Sequence, residues 1–99
     1  MTEAVCRERV RFQGRVQGVG FRMRAQRVAI ARGLAGWVCN DSDGSVLCEV
    51  EGTQIARDGF LVAIDEVMSG HIDHLDRTTI PSDEPLMGFS IKLAPPSRR

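Results

Sequence analysis

Tyrosine is absent from the 99 residues, tryptophan occurs once, at Trp37, and phenylalanine only four times. So thin an aromatic set leaves little for stacking bases, which RNA-binding sheets do with exposed aromatic side chains. Cysteine is scarce as well. Cys6, Cys39 and Cys48 are odd in number and show no C-x-x-C spacing, which argues against both a disulfide framework and a zinc site and leaves free thiols packed on strands as the simplest account. No apolar run approaches the length of a membrane span, and Glu3, Arg7, Glu8 and Arg9 stand where a signal peptide would need a hydrophobic stretch. A cytoplasmic protein without a membrane partner is expected.

Net charge is also lacking: 13 Lys and Arg balance 13 Asp and Glu. The distribution is uneven, because Arg7, Arg9, Arg11, Arg15, Arg22, Arg24, Arg27 and Arg32 crowd the first third and the remainder is acidic. Such asymmetry suits a small anionic ligand better than a nucleic acid, which needs a broad basic face.

What is present is a clear alternation of patterns. Cys6, Val10 and Phe12 alternate with Arg7, Arg9, Arg11 and Gln13, a period of two that ends at Gly14. From Phe21 the apolar residues recur as Phe21, Ala25, Val28 and Ala29, the spacing of an amphipathic helix that Gly33 stops. Leu34 to Asn40 and Ser45 to Glu51 read as strands joined by the hairpin turn Asp41-Ser42-Asp43-Gly44. Thr53 caps a second helix with the stripe Ala56, Phe60, Ala63, Ile64 and Val67, stopped near Gly70. A fourth strand is expected within His71 to Ile80 and a short fifth at Phe89 to Leu93, with Pro81 and Pro85 in the connection. Length and order together predict one domain over 1–99, an ordered core over 6–93 and a frayed tail over 94–99. The fold class is α+β: a ferredoxin-like split βαβ sandwich, an antiparallel sheet of four to five strands with two helices on one face.

Chemistry by nucleophile, metal or general acid finds no convincing set here. His71 and His74 with Asp73 and Asp76 would point to opposite faces of a strand, and matching Asp43-Gly44 to a calcium loop puts Cys39 and Val50 at ligand positions. No metal or cofactor is expected. The stretch Gly14-Arg15-Val16-Gln17-Gly18-Val19-Gly20-Phe21-Arg22, in contrast, places three glycines and two arginines where a strand hands over to a helix. Glycines let successive backbone N–H groups converge on one spot, a nest for a tetrahedral oxyanion. Arg22 and Arg24 fall in the electropositive first turn, which normally selects acids, and make better sense beside an anionic ligand. A Gly-rich turn followed by solvated arginines is the plainer alternative. Neither a P-loop nor a dinucleotide fingerprint fits, since Phe21-Arg22 follows Gly20 and Met23 stands where a third glycine is needed.

Asn40, leading into the hairpin turn, is either there for its backbone habits or holds a water through its side-chain amide. Electrostatic clamping and a positioned water, without an acid, suit a phosphoryl group whose leaving group departs easily. Mixed carboxylic-phosphoric anhydrides fit, because a carboxylate leaving group with a pKa of about 4 needs no protonation.

The segment Gly14 to Arg22, with Gly36-Trp37-Val38-Cys39-Asn40 and Asp43-Gly44-Ser45-Val46, resembles the two signature segments of acylphosphatases, and the resemblance runs from about Arg9 to Leu93. It implies metal-independent hydrolysis of acyl phosphates to a carboxylate and inorganic phosphate. Carried over by position, it implies that the backbone of Arg15, Val16, Gln17, Gly18, Val19 and Gly20 cradles the phosphate, that Arg22 binds it, and that Asn40 orients the attacking water. Inorganic phosphate or sulfate would compete, and a monomer with no nucleic-acid partner is expected. The family often has Gly-Pro where this chain has Gly70-His71, a position expected outside the site. The Val-Gln-Gly-Val-Gly-Phe-Arg form with Cys39-Asn40-Asp41 is also similar to the acylphosphatase-like domain of hydrogenase-maturation carbamoyltransferases, which handles carbamoyl phosphate. A chain that ends at Arg99 without their zinc-finger and transferase segments favours the free-standing enzyme. An RNA-binding module of the same fold is the remaining alternative, and its third strand would here be Val46-Leu47-Cys48-Glu49-Val50, with no aromatic.

Overall fold

A computed structural model describes residues 4–96 of the chain, so the last three residues of the expected tail, 97–99, lie outside the described residues. The elements follow one another as β1 (Val5–Gly14), α1 (Phe21–Ala31), β2 (Ala35–Asn40), β3 (Val46–Thr53), α2 (Gln54–Val67), β4 (Ile72–Ile80) and β5 (Phe89–Ile91). The sheet order is β4-β1-β3-β2-β5. Its first four strands are antiparallel, whereas β5 runs parallel to β2, with Gly36 opposite Phe89 and Val38 opposite Ile91. The sheet is therefore mixed at one edge. A tight turn after β4 would have forced an antiparallel neighbour; residues 81–88 instead lead from one sheet edge to the other.

Both helices cover one face. Phe21, Ala25 and Ala29 of α1, with Phe60 and Ile64 of α2, pack on Val10, Phe12, Val38, Val46, Cys48 and Val50. Each large apolar side chain buried in this way contributes about 1.5–3 kcal/mol. On α2 the stripe continues to Met68, which is 1% exposed, while the expected Val67 is 47% exposed. Steps of four from Phe60 reach Ile64 and then Met68, so the inward face passes Val67 by. The Phe12 and Phe21 rings lie 4.9 Å apart, and this contact pins the end of β1 to the first turn of α1 and fixes the ends of the loop between them.

The other face carries charge. Arg7 pairs with Glu51 at 2.9 Å, Arg9 with Glu49 at 2.7 Å and Arg11 with Asp41 at 2.9 Å. Glu51 also accepts from Ser82 Oγ and from the Leu86 N–H at 3.0 Å, and Arg7 donates to the Glu84 carbonyl, which straps the 81–88 connector to the sheet. The three β1 arginines, Arg7, Arg9 and Arg11, are thus neutralised by carboxylates of β3 and the hairpin. All three cysteines lie on strands as free thiols, Cys39 and Cys48 buried and Cys6 half-buried.

Candidate anion-binding site

The loop from β1 to α1 is held at both ends and in the middle. At its start the Arg15 N–H donates to the His71 carbonyl at 2.9 Å, and His71 Nδ1 lies 3.0 Å from the Arg15 carbonyl oxygen. Gly14, at φ 129°, is required there, because a Cβ would meet the His71 carbonyl oxygen at 2.3 Å. In the middle, Gln17 Nε2 donates to the carbonyls of Asp41 and Ser45, each at 2.8 Å. That staple joins the loop to the hairpin that carries Asn40. At the end, Gly20 takes the left-handed conformation at φ 79° as the N-cap of α1, with no side-chain cap and no acid in the first turn. The Arg24 N–H reaches back to the Gly20 carbonyl at 3.2 Å. The N–H groups ahead of it have no intrahelical acceptor, as at any helix start, and the N-cap residue supplies no side chain to cap them.

Beside this helix start lies a cavity of about 170 Å³ lined by Val16, Gly18, Gly20, Phe21, Arg22, Met23, Asn40 and Ile91. Of the residues expected to form the site, Val16, Gly18, Gly20, Arg22 and Asn40 line it. Arg15, Gln17 and Val19 do not: the Arg15 N–H is committed to His71, the Gln17 side chain turns to the hairpin, and Val19 packs on the core. The lining of this cavity therefore begins at Val16 rather than Arg15. Arg22 enters no ion pair with a described residue, unlike Arg7, Arg9, Arg11, Arg57 and Arg77. Asn40, half-buried at the end of β2 opposite Val46, lines the same cavity.

Nothing lining this cavity can donate a proton as an acid near neutral pH. Asp41, beside Asn40 in the chain, is held below the usual carboxylate range by the Arg11 guanidinium, and Asp43 by the Ser45 hydroxyl and N–H. Burial pushes the Cys39 thiol up, away from thiolate chemistry. Larger hollows lie elsewhere, about 490 Å³ beside Asp58, Asp65 and Glu66 and about 410 Å³ beside Arg7, Arg9, Asp83 and Glu84. Their carboxylates repel an anion, and their arginines are already paired.

Three contributions were not assigned from the sequence. His71 anchors the loop although it was expected outside the site. Met23 follows Arg22 directly and had a local signal, its place in the same helical turn. Ile91 had none, because only the parallel pairing of β5 with β2 brings it to the cavity.

The geometry has counterparts among known proteins. A family model described as Acylphosphatase matches residues 8–91. The chain is 43% identical over 84 residues to the acylphosphatase of Geobacillus kaustophilus, covering 79% of this chain and 86% of that one. It superposes on the crystal structure of acylphosphatase from Bacillus subtilis with a TM-score of 0.82 at 37% identity, covering 90% of this chain and 99% of the other. On full-length HypF in its phosphate- and nucleotide-bound form the TM-score is 0.86 at 26% identity, covering 95% of this chain and 12% of that one.

Proposed function

We infer the function from a plain premise: the chain belongs to the acylphosphatase family, whose members split acyl phosphates into a carboxylate and inorganic phosphate. It is accordingly a hydrolase of acid anhydrides acting on small acyl phosphates. In our reading the phosphoryl oxygens accept from the backbone N–H groups of Val16 to Arg22, and the Arg22 guanidinium forks two of them. The side-chain oxygen of Asn40 accepts a hydrogen bond from one water and aims that water's oxygen at phosphorus. As that O–P bond forms, the bond to the acyl oxygen breaks and the carboxylate leaves unprotonated, with both of the water's hydrogens staying on the phosphate product as dihydrogen phosphate. Positive charge comes from Arg22 and the helix start, so no metal is called for.

The observation that carries this reading is the convergence of Gly18, Gly20, Arg22 and Asn40 on one cavity beside an uncapped helix start. Burial of all five aromatic side chains supports a small-molecule substrate over a stacked nucleic acid. Among the described residues no helix is long and apolar enough to cross a membrane, and we read the protein as a cytoplasmic monomer. The TM-score of 0.86 favours, as a second reading, a carbamoyl-phosphate-handling domain like that of HypF, but identity is higher to the acylphosphatase structure.

The test is an assay with benzoyl phosphate and carbamoyl phosphate, with and without a chelator, plus competition by phosphate or sulfate. Hydrolysis of benzoyl phosphate that ignores the chelator and is competitively inhibited by either anion is expected. Loss of activity on chelation would overturn the mechanism, and turnover of carbamoyl phosphate alone would move the chain to the second reading.

A further inference from the structure

Two placements have to agree for the reaction to proceed: the loop from β1 to α1 sets where phosphorus sits, and Asn40 sets where the attacking water sits. In-line attack needs both, and a misplacement of about 1 Å can cost roughly 10²-fold in rate. Gly18 of the loop and Asn40 at the end of β2 line the same cavity from separate elements. What joins these elements is one side chain. Gln17 Nε2 donates to the Asp41 carbonyl and to the Ser45 carbonyl, each at 2.8 Å, and among the described residues no other side chain of the loop bonds to the hairpin.

Both acceptors already serve the hairpin. The Asp41 N–H donates to the Ser45 carbonyl at 2.9 Å and the Gly44 N–H to the Asp41 carbonyl at 3.2 Å. These bonds close the turn just beyond Asn40, whose pairing with Val46 ends the β2–β3 ladder. A carbonyl oxygen can accept twice, and Gln17 supplies the second donor to each. Because both partners only accept, the amide nitrogen must face them, and both of its hydrogens are used. Half-buried Gln17 stands one residue before Gly18, and its acceptor Asp41 stands one residue after Asn40. A path of two hydrogen bonds thus runs from the phosphate loop to the residue that aims the water. Few side chains could replace it: asparagine is a methylene shorter, ionised glutamate has no donor, and methionine has the length without the donors.

We propose that Gln17 is a positioning residue, which through its two hydrogen bonds to the hairpin keeps Asn40 and its water in line with the phosphoryl group held by the loop. The assignment rests on the hydrolytic reading of the site, with Asn40 aiming the water. Since the effect of Gln17 passes through Asn40, losing it costs no more than losing Asn40 itself.

The experiment uses Gln17→Met, which keeps the backbone N–H groups of the loop and the size of the side chain and deletes both hydrogen bonds. Its kcat for benzoyl phosphate should fall roughly tenfold, while calorimetry gives an inorganic phosphate affinity within about twofold of wild type. Added to Asn40→Ala, the same substitution should change kcat by less than about twofold, because the group it positions is already gone. A merely structural glutamine would lower both backgrounds alike. Gln17→Glu supplies an independent readout that also decides the matter if Gln17→Met does not fold. Its ionised carboxylate repels the two carbonyl oxygens and its protonated form donates to one, so its kcat relative to wild type should climb as pH falls through the carboxyl titration. Wild-type kcat in Gln17→Met, a matching loss of phosphate affinity, an equal loss in the Asn40→Ala background, or a Gln17→Glu ratio that is flat with pH each overturns the proposal. Undiminished turnover by Asn40→Ala alone would instead remove the water role, and the positioning of Gln17 with it.

Discussion

The two helices of this protein begin in opposite ways. At the start of α2, Thr53 adopts extended geometry and its Oγ1 accepts from the Ala56 N–H at 3.2 Å. At the start of α1, Gly20 is left-handed and contributes no side-chain cap. Neither first turn carries an acid, and each carries an arginine where the helix dipole disfavours one. The difference lies in what answers that arginine. Arg57 is buried, bonds to Glu8 and to the Gly52 carbonyl, and so closes α2 against the sheet. Arg22 has no carboxylate partner among the described residues and stands at an open cavity. One helix start is satisfied from within the fold and serves stability. The other is left short of an anion, and in the proposed reaction the substrate provides it.

The comparison breaks most sharply at Arg22. Arg22→Ala should lower kcat/KM for benzoyl phosphate by roughly 10³-fold while leaving the melting temperature little changed, since its guanidinium enters no ion pair among the described residues; Arg22→Lys should recover only part, because a point charge lacks the bidentate fork. Steady-state kinetics with a thermal melt on the same preparations would check both halves, and near-normal efficiency would remove Arg22 from the site.

Glu8→Gln should do the reverse. It strands the buried Arg57 and weakens the hold on Arg77, with an expected loss of about 3 kcal/mol in urea unfolding and kinetics unchanged below the transition. The same carboxylate predicts the acid response. Arg77 first, then Arg57, hold Glu8 below its ordinary value of 4.5 against the opposing effect of burial. A carboxyl with a lower pKa folded than unfolded contributes its full stability above 4.5 and loses it as pH falls from there through the lowered value. Stability of the wild type should therefore drop across that window, and Glu8→Gln should show a shallower dependence.

Asn40 sharpens the contrast within the site itself. Asn40→Ala is expected to cut turnover roughly 10²-fold with little change in inorganic phosphate affinity, because it removes the group that aims the water and leaves the cradle. Should affinity and turnover fall together, Asn40 belongs to the anion site. The smallest effect is at α2: Thr53→Ala should cost about 1 kcal/mol of stability, the usual value of a lost cap, and leave kcat/KM as it was.

The sequence by itself determined the element order, the hairpin at Asp41 to Gly44 and the anion loop, because periodicity, caps and glycine freedom are local properties that a window of a few residues contains. It also determined Arg22 and Asn40 as candidates, through their place in the two signature segments. Tertiary structure alone decided which arginines are free. Arg7, Arg9 and Arg11 look as available in the sequence as Arg22, yet the register of β1 on β3 sets Arg7 opposite Glu51 and Arg9 opposite Glu49, and the hairpin turns Asp41 toward Arg11. It decided as well that Arg15 is tied to His71 and that Ile91 reaches the cavity from a parallel edge strand. These outcomes depend on pairings between residues about 30 to 56 positions apart in the chain, which no local pattern encodes. Charge in the sequence counts what is present, and only the packed sheet settles which of it has already been answered.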